Sequence, residues 1–588
     1  MLHRLLEERL RPAVAAILPD ADQASLLVRP CPDPKFGDYQ TNALMALAKE
    51  RKLNPRQLAA DVLATLDVSE WCEKVEIAGA GFLNFRLKNS AIARILQAAA
   101  SGEHLFFRRT ARPRTVVIDF SSPNVAKPMH VGHIRSTILG DGLARTLRLL
   151  GHRVITDNHI GDWGTQFGKL LVGWKQQLDR AALQADPIGE MERLYKTVNA
   201  ASETNPAVLE AARQELAKLQ SGDEDNLRIW REMIVLSQHQ FDTIYARLGV
   251  KFDHTFGESF YNPRLKAVVQ ELRDKNIAQE SEGAICVFSD GSLPPKQDPF
   301  LKQEDGEWKP HPCLIQKSDG AANYATTDLA TLAHRLETWH PDEIVYVTDG
   351  RQQLHFHQIF AAFRRWHPEA KTKLAHVWFG SILGDDGKPF KTRSGGTVKL
   401  ADLLEEAEER AFKVVSEKNP ELPEPQRREI ARVVGLGAIK YADLLPNRQS
   451  DYVFSWDKML ALQGNTAPYL QYAYARIRSI FRKGGVENAE CGMRNAELQL
   501  SVPEELGLAR HLLNFGLVLE AVAEEYRPNF LCNYLYELAG HFARFYENCP
   551  VLKAEPESRA TRLVLCELTG RVLKQGLEVL GIETLEQM

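Results

Sequence analysis

Apolar residues along this chain recur with two periods. The run Thr115–Phe120 (TVVIDF) is a short apolar stretch of strand length. After a loop, Leu139, Leu143, Leu147 and Leu150 fall on one stripe, which predicts an amphipathic helix from Ile134 to Leu150 ended by Gly151. HRVITD then reads as a second strand. Strand, helix and strand within about 40 residues form a βαβ unit, and its crossover demands a parallel sheet. Apolar strands return at EIVYVTDG and HVWFGSIL and predict the second half of a doubly wound sheet.

Outside this core the pattern changes. The first ~105 residues mix an opening helix, strands at ASLLVRP and KVEIAGAGFLNFRL, and helices at TNALMALAKE and PRQLAADVLATL, which reads as a small α+β unit. Alternation puts Leu83, Phe85 and Leu87 on one strand face and Phe82, Asn84 and Arg86 on the other. That second face is either solvated or a nucleic-acid surface. An Arg-rich segment, SGEHLFFRRTARPRT, follows as a linker. A helical insertion is predicted from about Gly164 to Val250, then a strand-rich stretch, and from Leu400 a helical pattern almost to the end. The expected domains are residues 1–108, 109–400 with an insertion at about 165–340, 401–450 and 451–588. The fold class is α/β: a Rossmann-like parallel sheet with helical insertions, an N-terminal α+β domain and a C-terminal all-α bundle.

Composition narrows the function. With 588 residues, 44% hydrophobic and 26% charged, the chain is neither disordered nor fibrous. No run approaches the ~18 apolar residues of a membrane span, and the N-terminus lacks a signal-peptide h-region, so a cytoplasmic protein with no membrane partner is expected. The eight cysteines are scattered without a CxxC pair, which predicts reduced thiols and no dedicated metal site. A net charge of −4 means that any nucleic-acid contact must come from local patches.

Candidate chemistry concentrates at Ser122–His133, SPNVAKPMHVGH, between the first strand and its helix. This is where open α/β sheets bind ligands, and a helix N-terminus offers free N–H groups to an anion. His130 and His133 are three apart and share one side of the first turn. Gly132 between them lets a flat base approach the backbone. With Lys127 nearby, the pattern suits a nucleoside triphosphate, although two histidines at a helix start also serve as caps. Neither GxxxxGK[ST] nor GxGxxG occurs, which disfavours a P-loop enzyme and a dinucleotide dehydrogenase.

The sequence resembles the class I aminoacyl-tRNA synthetases, and among them the arginyl-tRNA synthetases. HVGH is similar to their HIGH motif, and the likeness runs through KFGDYQTNALMALAK, SSPNVAKPMHVGHIRSTILGD, DNHIGDWGTQFG, SDGAANYATTDLA, LLPNRQSDYVFSWDKML and NTAPYLQYAYARIRSI. The resemblance implies an arginine–tRNA ligase that uses ATP, with Mg2+, to form arginyl-adenylate and then charges tRNA(Arg). It implies ATP contacts at His130, Gly132, His133, Lys388 and Lys391. DGKPFKTRSGG takes the place of the KMSKS loop, with Lys391 and Arg393 as catalytic cations and Lys127 compensating for the departure from KMSKS. L-arginine is expected at Asp119, Asn124, Tyr324, Asp328 and Gln352, the first and fourth meeting the guanidinium. Gln353, His355 and His357 are rivals to Gln352.

The segment from Asp451 carries 14 Lys+Arg against 18 Asp+Glu, yet Arg476, Arg478, Arg482 and Lys483 follow directly on Tyr469, Tyr472 and Tyr474. Aromatics beside cations suit an unpaired RNA loop, while at least one of these tyrosines is expected in a helical core. The resemblance makes this the anticodon-binding domain, with Tyr472, Arg476 and the terminal Met588 on tRNA. It turns the Asn84 face of the N-terminal domain toward the tRNA elbow, and it implies a monomer.

Overall fold

The computed structural model describes residues 1–390, 398–485 and 498–588. The chain forms two compact units: Met1–Thr110 joined with Leu460–Met588, and Ala111–Met459. The helical stretch expected as a connector, 401–450, lies within the second unit.

The centre of the second unit is a four-stranded parallel sheet in the order Lys373–His376, Glu343–Val347, Thr115–Phe120, Arg153–Asp157. Val116, Val117, Ile118 and Phe120 are fully buried, as a strand covered on both faces requires. Strand order reverses between Thr115–Phe120 and Glu343–Val347, so a crevice opens at their carboxyl ends. HVWFGSIL does not form one strand. Lys373–His376 joins the sheet, but beyond it the Gly380 N–H turns to the Arg448 carbonyl, and Ile382–Leu383 pairs instead with Tyr452–Val453.

The first crossover helix is Val131–Leu149, three residues longer at its start than the leucine stripe indicates, because His130 caps it. Gly151, at φ 91°, ends it and returns its N–H to the Arg148 carbonyl. The insertion contributes helices between Gln166 and Leu248, four of them started by Asp179, Asp186, Asn205 and Asp223 side-chain caps. The strand-rich stretch forms its own antiparallel sheet of Ala278–Ser281, Ala284–Val287 and Cys313–Gln316.

In the first unit, strands Arg29–Pro30, Tyr39–Thr41, Phe82–Leu87 and Cys72–Ala78 form an antiparallel sheet in that order. ASLLVRP is strand only at its end. Asp22 caps a tight turn over Gln23–Ser25, and the Val28 N–H goes to the buried carboxylate of Glu7 rather than to a partner strand. The face carrying Asn84 is not fully solvated either: Asn84 is 5% exposed, between neighbouring strands on both sides, and only Phe82 and Arg86 are half-exposed. One stretch among the described residues, Pro503–Glu525, is long and apolar enough by composition to cross a membrane, contrary to the sequence expectation. It is broken at Leu513–Asn514 and half buried in the fold, and packing against neighbouring helices explains its apolarity.

Candidate active site

The loop after the first parallel strand is held in an unusual conformation. Ser121, Ser122 and Ala126 all have positive φ, 74°, 50° and 60°, each at a cost of roughly 1–3 kcal/mol for a non-glycine residue. Each donates its own N–H to a side chain: Ser136 Oγ at 2.8 Å, Asn158 Oδ1 at 3.0 Å and Ser237 Oγ at 2.9 Å. Strain of this kind persists only where surroundings over-determine it. Asn124 is exposed at the middle of the loop, and Gly161 makes room for it: a Cβ there would lie 2.3 Å from Asn124 Oδ1.

At the loop's end the Gly132 N–H donates to His130 Nδ1 at 3.0 Å, and the His130 N–H donates to His133 Nδ1 at 3.0 Å. The rings lie 4.0 Å apart. Because both Nδ1 atoms accept, the neutral rings carry their protons on Nε2, leaving two Nε2–H donors at a helix N-terminus. Burial, with Arg351 and Lys127 adding repulsion, lowers the His130 pKa. Burial and the neighbouring His130 push His133 down to about 3. Both rings are therefore neutral donors at physiological pH. The space that Gly132 leaves open is filled by the His130 ring, whose Cε1 would stand 2.8 Å from an added Cβ, so the glycine serves the cap and its open side is not free for a base.

A cavity of about 500 Å3 opens at the carboxyl ends of the parallel strands. It brings together Asp119, Asn124, Tyr324, Asp328 and Gln352, drawn from positions up to 233 residues apart, and adds Glu258. His130, Gly132 and His133 are not in its wall; Arg351, which is, carries charge from the cavity toward His130. Lys127 stands 5.2 Å from the centre of the Tyr195 ring. Lys388 is exposed in a turn closed by the Gly384 N–H on its own carbonyl. Lys391 and Arg393 lie outside the described residues.

The acids in the cavity differ in character. Tyr346, Asp119 and Asp157 occupy matched positions on three adjacent strands, so their side chains share a face. Arg335, from the helix Tyr324–Trp339, covers that row: its Nη2 donates to Asp119 at 2.6 Å and Asp157 at 2.8 Å, and its guanidinium lies 5.2 Å from the Tyr346 ring. Asp119 also accepts from Ser122 Oγ at 3.1 Å. Asp119 thus already shares a resident guanidinium with Asp157. Asp328, one turn along the helix from Tyr324, has His355 Nε2 2.6 Å from its Oδ2.

Glu258 opens the helix Glu258–Asp274 and is the residue that sequence reasoning missed. Burial in the wall, with repulsion from Asp328 and Asp162, pushes its carboxyl up to about 7 although His159 opposes this. An acid in a first helical turn reads as a dipole-stabilising residue, so only its place in the same cavity wall as Asp328 separates it from many others. Arg351 was hidden similarly, in the single turn Gly350–Gln352, where it pairs with Asp349.

In the first unit, Tyr472, Arg476 and Met588 do come together, in a groove of about 850 Å3 that also carries Arg482, Lys483 and Lys553. The terminal segment is tied there by the Gln471 amide on the Glu583 carbonyl at 2.9 Å, by Tyr474 and Arg478 on the Glu586 carboxylate, both at 2.9 Å, and by Arg482 on the Glu586 carbonyl at 2.8 Å. Tyr474 is accordingly a buried core residue, while Tyr472 is 49% exposed. Arg476 rests on the Tyr546 ring at 4.6 Å.

Comparison with known proteins places this geometry. Residues 95–456 match the catalytic domain of class I tRNA synthetases (R), residues 4–87 the arginyl tRNA synthetase N-terminal domain, and residues 470–588 the DALR anticodon-binding domain. The chain is 46% identical to an arginine–tRNA ligase of Chromobacterium violaceum and 46% identical to one of Hahella chejuensis, with 100% of each chain covered. Among solved structures it is similar to Thermus thermophilus arginyl-tRNA synthetase, with a TM-score of 0.84 at 28% identity over 100% of both chains. Arginyl-tRNA synthetase of Plasmodium falciparum gives 0.82 at 29% identity, over 100% of this chain and 99% of that one. The chain belongs to the class I arginyl-tRNA synthetases.

Proposed function

We propose that this arginine–tRNA ligase binds the substrate guanidinium between Glu258 and Asp328, with Tyr324 along the pocket and Asn124 and Gln352 on the α-amino and carboxylate groups. The observation that carries this is the pair of acids in one cavity, neither ion-paired to an arginine among the described residues, beside an Asp119 that shares one with Asp157. A forked cation with several N–H donors is the ligand such a pair suits.

ATP is the second substrate, and its phosphates are assigned to the Nε2–H donors of His130 and His133, with Lys127 and Arg351 supplying positive charge. Lys388, Lys391 and Arg393 of the KMSKS-like segment are proposed to meet pyrophosphate as it leaves. The arginine carboxylate attacks the α-phosphorus of ATP, the bond to pyrophosphate breaks, and arginyl-adenylate forms. The terminal ribose hydroxyl of tRNA(Arg) then attacks the adenylate carbonyl and releases AMP. Positioned donors and cations, rather than covalent catalysis, lower both barriers. Mg2+ enters with ATP as its counter-ion. The phosphate oxygens are its proposed ligands, since Mg2+ takes oxygen ligands and is commonly held through substrate phosphates.

Tyr472, Arg476 and Met588 are assigned to the anticodon loop, supported by the basic, aromatic character of their groove. The N-terminal domain is assigned to the tRNA elbow through Phe82 and Arg86, with Asn84 recessed between them. We further propose a cytoplasmic monomer that does not engage membranes. Incubating the purified chain with ATP, total tRNA and each of the twenty amino acids tests the reading. Charging with arginine alone supports it, and equal charging with lysine overturns the two-acid pocket.

A further inference from the structure

We infer that His355 is a positioning residue for arginine selection: by its bond to one oxygen it holds the Asp328 carboxylate in a fixed orientation for the substrate guanidinium. The inference rests on the arginine-site reading above and deepens it. His355 Nε2 is 2.6 Å from Asp328 Oδ2, and the two side chains are 16% and 18% exposed, so both stand in the cavity wall rather than in bulk solvent. The His355 ring also packs near two aromatic rings, Tyr324 at 4.9 Å and Phe356 at 5.2 Å between centroids. An ionised carboxylate only accepts hydrogen bonds, so the short contact places the proton on His355 Nε2.

This arrangement has a consequence for how the fork is read. A carboxylate with both oxygens free takes a guanidinium side-on through two parallel bonds. With one lone pair of Oδ2 taken by His355, the Asp328 carboxylate is held in one orientation and Oδ1 is left as its better acceptor. Glu258 lies in the same wall and is close enough for the Asp328 charge to raise its pKa. The guanidinium is then shared between Asp328, in the orientation that the His355 bond fixes, and Glu258 in the same wall. Lysine, a single point charge, gains little from two separated acceptors. His355 thus acts through Asp328 and touches no reacting atom.

The test compares His355→Leu, His355→Asn and His355→Gln in tRNA-dependent aminoacylation. Glutamine places an N–H donor close to the His Nε2 position, whereas asparagine falls short and leucine has none. Losing a bond to a charged group is expected to raise the arginine KM about 10- to 100-fold in the Leu and Asn variants, with the ATP KM and kcat within about threefold of the parent. The Gln variant is expected to recover most of the loss, and lysine should compete more strongly against arginine in the Leu and Asn variants. Should the Leu variant fail to fold, the Asn and Gln pair decides the question. An unchanged arginine KM in the Asn variant, or equal effects on arginine and ATP, overturns the inference while leaving the site reading intact. A parent enzyme that does not use arginine overturns the site reading itself.

Discussion

Arg335 Nη2 lies 2.6 Å from Asp119 Oδ2, and both side chains are buried. Asp119 is the acid at the end of the first parallel strand, where a guanidinium contact is expected from sequence, and the structure already supplies one from within the chain. Substituting Arg335→Met would leave Asp119 and Asp157 as neighbouring buried acids. Breaking a buried pair in this way costs about 3–5 kcal/mol, which urea unfolding should register as a lowered midpoint. Asp119→Asn is expected to change the arginine KM by no more than about threefold, so that its cost appears in stability rather than in substrate recognition. A loss of arginine affinity matching that of an Asp328 variant would return Asp119 to the guanidinium.

Glu258, with its carboxyl pushed up to about 7, makes arginine binding pH-dependent. Below pH 7 the free site is mainly protonated and cannot pair with a cation; above it the carboxylate is available. The arginine KM should fall as pH rises from about 6 to about 8, and Glu258→Gln should flatten the profile at a raised KM. Stability runs the other way. The native state holds this proton more tightly than the unfolded chain, whose ordinary value is 4.5. The stabilisation from Glu258 is therefore complete below about pH 4.5 and lost as pH rises through 7.

His133, held near pKa 3, should contribute no ionisation to the pH–rate profile above about pH 5. Its proposed role is a neutral Nε2–H donor to phosphate. Replacing it with alanine is expected to slow adenylate formation about 10²- to 10³-fold, as loss of a charge-stabilising donor does elsewhere. Single-turnover measurements should show tRNA affinity nearly unchanged, whereas a purely tRNA-binding defect would remove His133 from the phosphates.

Tyr472 and Arg476 should separate by salt. A stacked base lost with Tyr472→Ala weakens tRNA binding by ~1–3 kcal/mol at all salt concentrations. Arg476→Ala, if it removes one phosphate contact, should reduce the slope of log K against log salt by about 0.7. Arginine and ATP parameters should not move in either variant. Point variants serve better here than removal of the N-terminal domain, because that domain packs directly on the C-terminal helices. Asp38 pairs with Arg510 at 2.7 Å, and Tyr39 donates to Asn514 at 2.9 Å.

Periodicity made the parallel sheet, the crossover helix and the helical tail legible, since these elements depend on burial patterns local to each segment. It failed at ASLLVRP because a distant carboxylate, Glu7, takes the Val28 N–H, and at HVWFGSIL because the pairing partner changes at Gly380. In the site, the histidine pair and the five cavity residues were legible as a motif and a resemblance. What stayed hidden was what the fold joins across long sequence distances: Arg335 on Asp119, His355 on Asp328, and Glu258 in the same cavity wall. A carboxylate's sequence position says where it is, and its partners decide whether its charge is available.

The most direct measurement is the arginine KM of Asp328→Asn in steady-state aminoacylation, set against its ATP KM. With the guanidinium shared between Asp328 and Glu258, the arginine KM should rise about 100-fold, a loss near 2.7 kcal/mol, while the ATP KM stays within about twofold. Equal increases for arginine and ATP, or no increase for either, would contradict the two-acid pocket.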